Sequence, residues 1–194
     1  MGELKLVAGL GNPGREYSDT RHNAGFRVID LLAAALEIEV RTRRFGGVFG
    51  EGEFGGKKLI LFKPRQFMNR SGGPVATVVG FYKLGLSDLL VVTDDMALAP
   101  GRIRIRSRGS AGGHRGLADV IEKLGTEQVG RLRIGIGQSG EEEAYDYVLD
   151  APTEAERSLV EEAIERAREA VLCWVEYGIE AAMNRFNSHE GSRD

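Results

Sequence analysis

Segments with strand patterning alternate with segments of helical patterning along this chain, and this alternation restricts the fold more than any other feature. Short, largely apolar runs predict strands at Leu4–Gly9, about Val48–Phe54, about Lys58–Phe62, Leu89–Thr93, Arg102–Arg106 and Arg131–Ile136. Apolar residues at helical spacing predict helices over about His22–Leu36, Pro74–Leu84, Leu117–Leu124 and Thr153–Phe186. Gly55-Gly56 predicts a two-residue hairpin turn. We therefore expect an α/β sandwich, with a twisted mixed sheet, largely parallel, flanked by helices.

The size of the chain predicts one domain. A chain of 194 residues buries about two-thirds of its unfolded surface, and we expect residues 1–194 to form a single domain with about 188–194 as a flexible tail. No apolar run approaches the ~18 residues of a membrane span, and the first residues lack the apolar core of a signal peptide. The one cysteine, Cys173, cannot form an internal disulfide. These features predict a cytoplasmic protein.

The formal charge is distributed unevenly. Residues 1–140 hold 21 Lys and Arg against 14 Asp and Glu, a net charge of +7. Residues 141–194 hold 5 against 15, a net charge of −10. A basic body could bind a polyanion, while the acidic residues could equally be the solvated outer face of a terminal helix.

A glycine-rich motif, Gly9-Leu10-Gly11-Asn12-Pro13-Gly14, follows the first predicted strand and matches the spacing of a dinucleotide-binding loop. In that loop the helix begins at the glycines, so that its amides face a pyrophosphate. Here Arg15–Asp19 intervenes before the helix, and Asp30 lies inside the helical pattern instead of at the end of a second strand. A dinucleotide enzyme remains an alternative, and NAD or FAD would then raise its thermal stability.

Two residues are candidates for acid–base chemistry. His22 stands at the start of a predicted helix, and imidazole is the side chain best suited to accept a proton at neutral pH. Of the other histidines, His189 lies in a polar tail, which leaves His114. Asp94 follows a very apolar strand, where a carboxylate is costly unless paired, solvated or used, and it could orient an imidazole. The alternatives are that His22 caps its helix or lies on the surface, and that Asp94 caps a turn.

The segment Lys63–Gly72 contains three candidate binding residues. Phe67 and Met68 would ordinarily belong to the core, and Asn69 would ordinarily cap a helix. A neutral amide beside a hydrolytic histidine can also hydrogen-bond an ester carbonyl without adding charge. The second segment, Ser107–Gly116, has four glycines and could be a mobile loop that presents cations to phosphates, or a plain flexible loop.

The sequence lacks the motifs that are typical of metal sites and of covalent nucleophiles. The chain has no pair of cysteines, no HExxH and no close cluster of histidines and carboxylates along the sequence, so we expect no metal site. It has no GxSxG, and Cys173 lies within the last predicted helix. We therefore expect water to attack with the help of a general base, without a covalent intermediate.

Taken together, these motifs resemble the bacterial peptidyl-tRNA hydrolase family in order and spacing over about the first 140 residues. The matching positions are Gly9–Gly14, Tyr17, Thr20–Asn23, Gly25, Lys63-Pro64, Phe67–Asn69, Ser71-Gly72, Asp94, Gly112–His114 and Gly116-Leu117.

The resemblance implies an enzyme that splits peptidyl-tRNA into a peptide and a free tRNA, and so recycles tRNA from aborted translation. It implies that His22 accepts a proton from water and that Asp94 supports it. The implied substrate-binding residues are Asn12, which distinguishes N-blocked substrates, and Tyr17, Phe67, Met68, Asn69, His114 and Arg115 near the 3′ end and acceptor stem. Family members are typically monomers without a cofactor.

Two positions depart from the family pattern. Arg115 stands where the family commonly has Asn, and arginine offers donors and a fixed charge but no acceptor. Ala97 stands where an acid is usual, which we interpret as loop variation. Our candidates for contacts with the tRNA backbone are Arg104, Arg106, Arg108, Arg115, Arg131 and Arg133. An RNA-binding relative without hydrolytic activity, like the plant organelle splicing factors of this family, remains the alternative class.

Overall fold

A computed structural model of the chain describes residues 3–18, 20–137, 148–149, 151 and 153–187. The strands are β1 (Leu4–Gly9), β2 (Thr42–Arg44), β3 (Gly47–Phe54), β4 (Lys57–Pro64), β5 (Leu89–Asp95), β6 (Ile103–Arg106) and β7 (Gly130–Gly135). The α-helices are α1 (Ala24–Ala35), α2 (Gly72–Tyr82), α3 (Arg115–Leu124), α4 (Glu154–Tyr177) and α5 (Ile179–Phe186). The predicted tail at about 188–194 lies outside the described residues.

The seven strands form one mixed sheet in the order β2-β3-β4-β1-β5-β7-β6. The four central strands, β4, β1, β5 and β7, run parallel to one another. The edge strands β2, β3 and β6 pair antiparallel. The parallel centre buries both of its faces, which is why its strands read as apolar runs in the sequence. The predicted α/β class with a mixed sheet is confirmed.

Helices cover both faces of the sheet. Alternate residues of β1 point to opposite faces, so Val7 joins one core with α1, α4 and α5, and Leu6 joins the other with α2 and α3. Trp174 of α4 is the largest fully buried side chain in the first core. Among the described residues, no helix has both the length and the apolar composition to cross a membrane.

Three local predictions needed correction. The single long helix over 153–186 is two helices, because Gly178 adopts φ 87°, a left-handed value that ends α4. Leu159, which the helical spacing of apolar residues predicts on the apolar side of that helix together with Ile164 and Trp174, is 43% exposed. Strand β2 was missed because its sequence, Thr-Arg-Arg, has no apolar residue, and it is exposed throughout. The hairpin turn is confirmed, with positive φ at both Gly55 and Gly56.

Helix α1 approaches the sheet at a pair of glycines. A Cβ atom on Gly25 would lie 2.5 Å from the carbonyl oxygens of both Leu10 and Val92, and one on Gly9 would lie 2.3 Å from the Gly25 oxygen. Only glycine permits so close an approach of helix and strand backbones. This contact fixes the beginning of α1, and therefore the turn that precedes it.

We predict that Gly25→Ala lowers the free energy of unfolding by roughly 2 kcal/mol or more, because the added methyl group overlaps rigid backbone atoms. Gly80→Ala is the matched control, since Gly80 lies on the exposed side of α2 and its added Cβ would meet nothing within 4 Å. That change should instead stabilise the helix by about 0.5–1 kcal/mol. Urea unfolding followed by circular dichroism measures both, and equal stability of Gly25→Ala and the wild type would contradict the contact.

Candidate active site

A cleft of about 1000 Å³ opens at the carboxyl ends of the central strands. It is bordered by the loop after β1, a 3₁₀ turn at Arg21–Asn23, the segment after β4, the end of β5 and the loop before α3. The nine site residues predicted from the sequence all line it: Asn12, Tyr17, His22, Phe67, Met68, Asn69, Asp94, His114 and Arg115. The fold therefore brings together residues that are up to a hundred positions apart in the chain.

His22 contacts Asp94 inside this cleft. Its Nδ1 lies 2.8 Å from Asp94 Oδ1, and the His22 side chain is 12% exposed. Because a carboxylate only accepts, His22 Nδ1 carries the hydrogen and donates it. The second ring nitrogen, Nε2, then bears the lone pair. This is the tautomer that a general base requires.

His114 also donates to Asp94. Its Nε2 lies 3.0 Å from the same Oδ1, and its Nδ1 accepts the backbone N–H of Leu117 at 3.0 Å. The second bond settles the tautomer, because Nδ1 must be unprotonated to accept. We expected His114 to contact substrate. Its described contacts make it the N-cap of α3 and the second donor to Asp94, and its contact with substrate stays a prediction.

The carboxylate of Asp94 is a buried charge with two imidazole partners. Burial alone would raise its pKa, but the interactions with His22 and His114 outweigh burial and hold the pKa of Asp94 well below its usual range. Asp94 therefore remains ionised at neutral pH and can stabilise a protonated imidazole.

The loop after β1 is joined to the His22 turn through Asn12 and Asn23. The Asn12 N–H donates to Asn23 Oδ1 at 2.7 Å, and Asn23 Nδ2 donates to the Asn12 carbonyl at 3.0 Å. Asn12 Oδ1 accepts the backbone N–H of Met68 at 2.8 Å, which orients the Asn12 amide and leaves its two Nδ2 hydrogens for a ligand. Sequence reasoning missed Asn23, although it stands next to His22.

The segment after β4 divides its residues between cleft and core. Phe67 is 60% exposed and Asn69 is exposed. Met68 is buried and packs in the core beneath α2 and α3. Met68 therefore belongs to the core and also lines the cleft, whereas Phe67 is not part of the core, because the 3₁₀ turn at Met68–Arg70 turns successive side chains about 120° apart.

An ion pair ties the His22 turn to helix α4. Buried Arg21 donates from Nη2 to Glu156 Oε2 at 2.8 Å. Glu156 also forms a capping box with Thr153, accepting its backbone N–H at 2.9 Å. The pattern Thr-x-x-Glu at 153–156 is a capping signal that the sequence analysis did not use. Arg21, the residue before His22, thus links the 3₁₀ turn to helix α4 in the C-terminal part of the chain.

The arginines predicted to contact RNA differ in accessibility. Arg131 is buried and donates to the carbonyls of Val129, Gly109 and Ser110 at 2.7–3.0 Å, so its assignment as an RNA contact is wrong. Arg133 lines the cleft, with its Nε 2.8 Å from Asp95 Oδ2. Exposed Arg115 lies at the start of α3 and lines the cleft. Arg104 and Arg106 lie on β6, opposite Arg133 and Arg131 of β7.

His22, Asp94 and His114 also form a group that could hold a metal ion. Their ligand atoms lie within 4.8 Å of one another. These three residues are far apart in the chain, so their grouping cannot be seen in the sequence. In the described structure these same atoms are joined by the two histidine–aspartate hydrogen bonds, so a metal would have to replace both ring hydrogens.

An imidazole that is hydrogen-bonded to a buried carboxylate at the carboxyl edge of an α/β sheet is suited to general acid–base chemistry. Comparison with known proteins is more specific. The profile of the family described as Peptidyl-tRNA hydrolase matches residues 6–193. The chain belongs to this family, which confirms the resemblance seen in the motifs.

Relatives and solved structures agree with that assignment. The chain is 49% identical over 184 residues to the peptidyl-tRNA hydrolase of Caldanaerobacter subterraneus, covering 95% of this chain and 100% of the relative. It is 49% identical over 182 residues to that of Carboxydothermus hydrogenoformans, covering 94% and 97%. The crystal structure of the Acinetobacter baumannii peptidyl-tRNA hydrolase superposes with a TM-score of 0.91 at 37% identity, covering 97% and 96%.

We predict that Glu156→Gln destabilises the protein at neutral pH but not in acid. Burial alone would raise the pKa of Glu156, but the Thr153 N–H and the Arg21 guanidinium outweigh it and lower that pKa to about 2. The stabilisation is therefore complete above the ordinary value of 4.5 and is lost as the pH falls from 4.5 towards 2. Because solvent screens this partly exposed pair, we expect about 1 kcal/mol, or about 2–4 °C in Tm.

Thermal unfolding of both proteins between pH 7 and pH 3 tests this prediction. The control is Glu161→Gln, an exposed acid on α4 whose Oε1 lies 3.7 Å from Arg27. It should change stability by less than about 0.5 kcal/mol at every pH. A Glu156→Gln difference that stays constant with pH would show that the carboxylate charge is not what anchors Arg21.

Proposed function

We propose that this chain hydrolyses the ester between peptide and tRNA by general-base activation of water, with His22 as the base. The family supplies the reaction, which releases a peptide and a free tRNA. The observation that carries the mechanism is the 2.8 Å contact between His22 Nδ1 and the ionised carboxylate of Asp94. We further propose that the enzyme acts as a cytoplasmic monomer without a cofactor and recycles tRNA from aborted translation.

The proposed reaction follows from the tautomer of His22. Nε2 removes a proton from a water molecule in the cleft as the water oxygen attacks the ester carbonyl carbon. The resulting imidazolium is stabilised by Asp94, which keeps its charge and is held in place by His114. The tetrahedral intermediate then collapses, the bond to the ribose oxygen breaks, and that oxygen takes the proton from Nε2. Both products leave, and His22 is neutral again.

Water attack is supported by the chemistry of the cleft lining. None of the described lining residues is a serine or a cysteine. Thr93 is the one aliphatic hydroxyl among them, and it is 1% exposed within β5. A covalent acyl-enzyme needs an accessible nucleophile beside the base, and the described lining offers none.

The remaining cleft residues have distinct roles in substrate binding. The Nδ2 hydrogens of Asn12 and the amide of Asn69 would hydrogen-bond carbonyl groups of the peptide. Exposed Phe67 and half-buried Tyr17 would stack on bases at the 3′ end, because every base offers an aromatic face. Arg115 and the other accessible arginines would contact phosphates of the acceptor stem.

We predict that His22→Ala loses at least ~100-fold in kcat on N-acetylaminoacyl-tRNA, the range expected for a lost general base, while its Kd for tRNA stays close to that of the wild type. Single-turnover hydrolysis and filter binding measure the two quantities. His189→Ala is the control for the loss of a histidine and should leave the rate unchanged. If the wild type binds tRNA but does not cleave, the enzyme assignment fails and the RNA-binding alternative replaces it.

We predict that Asn12→Asp weakens substrate binding while it keeps the hydrogen bond that orients the side chain at this position. The new carboxylate can still accept the Met68 N–H, but it replaces the two Nδ2 hydrogens with an acceptor. One lost hydrogen bond corresponds to roughly a 10-fold higher KM. The preference for N-acetylated over free aminoacyl-tRNA should fall with it. Asn12→Ala, which loses both contacts, is the comparison, and an unchanged preference in Asn12→Asp would remove Asn12 from recognition of the blocked amino group.

A further inference from the structure

A cluster of arginines lies on the surface beside the active-site cleft. Arg43 and Arg44 belong to the edge strand β2, and Arg65 directly follows β4. All three are exposed, and they border one shallow depression together with Gly46, Gly47 and Gln66. We call Arg43, Arg44 and Arg65 the β2 arginine patch. None of them was among the residues that the sequence analysis proposed for RNA contact.

The β2 arginine patch lies at the same end of the sheet as His22. β4 runs parallel to β1 and β5, so Arg65, which follows β4, lies at the same edge of the sheet as Asp94 near the end of β5. Antiparallel pairing places Gly47 opposite Pro64, and Arg44 opposite Gly47. Four strand intervals separate β5 from β2, which is roughly 19 Å at ordinary strand spacing. Only one residue, Gln66, separates Arg65 from Phe67 at the cleft, so the two sites are continuous.

Aromatic side chains hold Arg44 in place. Its Cζ lies 4.6 Å from the ring centroid of Phe45 and 4.4 Å from that of Phe81. The two rings are themselves 5.0 Å apart. A guanidinium stacked in this way keeps its N–H groups at the edge of its plane, where they can meet phosphate oxygens, and loses less side-chain freedom on binding.

The other two arginines carry charge that no described carboxylate neutralises. Arg43 and Arg65 form no ion pair with any residue that the structure describes, whereas neighbouring Arg41 is paired with Glu39. Tyr82, whose ring contacts that of Phe81, donates a hydrogen bond to the carboxylate of Glu51 at 2.7 Å. Unpaired cations grouped on one surface raise the local positive potential and attract a polyanion.

We propose that the β2 arginine patch binds the sugar-phosphate backbone of the tRNA at a distance from its 3′ end. The inference rests on the proposed function, since the patch continues the surface from which the tRNA would leave the cleft. Arginine is suited to this ligand because its planar fork matches phosphate oxygens. A protein partner is the other occupant that such a surface could take, and the experiment below distinguishes the two.

The test is the double variant Arg43→Ala/Arg65→Ala, which leaves the stacked Arg44 in place. We expect its Kd for tRNA to rise at least about 5-fold near 0.1 M salt, and the slope of log K against log salt to become shallower by roughly 1.4–1.8, the value for two lost phosphate contacts. KM for full-length N-acetylaminoacyl-tRNA should rise with Kd. KM for a short N-acetylaminoacyl oligonucleotide should not change, because such a substrate ends before the patch.

The controls separate charge, position and folding. Lys58→Ala/Lys123→Ala removes two cations at the opposite edge of the sheet, at the start of β4 and the end of α3, and should leave both Kd and slope unchanged. Arg43→Lys/Arg65→Lys keeps the charge and should restore the slope. Wild-type Kd and slope in Arg43→Ala/Arg65→Ala would overturn the inference and favour a protein partner, and equal losses on both substrates would overturn it as well. A wild type that binds tRNA without cleaving would contradict the proposed function alone.

Discussion

The whole site depends on one carboxylate oxygen, Asp94 Oδ1, which accepts hydrogen bonds from two imidazole rings. A charge whose side chain is 2% exposed at the end of a central strand would be costly without such donors. The donors come from opposite sides of the sheet, since His22 precedes α1 in one layer and His114 precedes α3 in the other. The bridge therefore orients the base and also joins the two helical layers above β5. The same bond that prepares His22 for proton transfer contributes to holding the fold together.

The proposed proton transfer would require His22 to be placed within a fraction of an ångström, and contacts of its neighbours in the chain provide that placement. The close approach of the backbones at Gly25 fixes where α1 begins. Asn23, the residue after His22, is hydrogen-bonded to the loop after β1. Arg21, the residue before His22, is paired with Glu156 at the start of α4. Each neighbour of the base in the chain is thus held by a different element, so the 3₁₀ turn has little freedom even though its histidine borders an open cleft. Rigid support of this kind costs nothing at the moment of reaction, since the geometry is already established on folding.

The sequence predicted the central strands and most helix positions because burial on two faces leaves a strong apolar pattern. It did not predict β2, whose three residues are all exposed, or the end of α4, which depends on the backbone of one glycine. Candidate site residues were found from motifs, and the structure brings them together, yet the partners of His114 and Arg131 could not be read from spacing. An arginine that donates to four backbone carbonyls looks the same in the sequence as one that is free to bind phosphate. Which of Phe67 and Met68 is buried likewise depends on the phase of a single turn.

The uneven charge of the chain is explained by two different surfaces. Acidic residues occupy the exposed positions of α4, such as Glu161, Glu165 and Glu169, and there the solvated-face interpretation is correct. That helix covers the face of the sheet opposite α2 and α3. Exposed arginines instead lie at the carboxyl edge of the sheet, with Arg115 at the cleft and the β2 arginine patch beyond it. An anionic ligand is thus attracted to the rim of the cleft, while the two carboxylates that line it are already engaged, Asp94 by two histidines and Asp95 by Arg133. The rim can hold phosphates without displacing Asp94 from His22, and the neutral ester can reach the base without a competing anion.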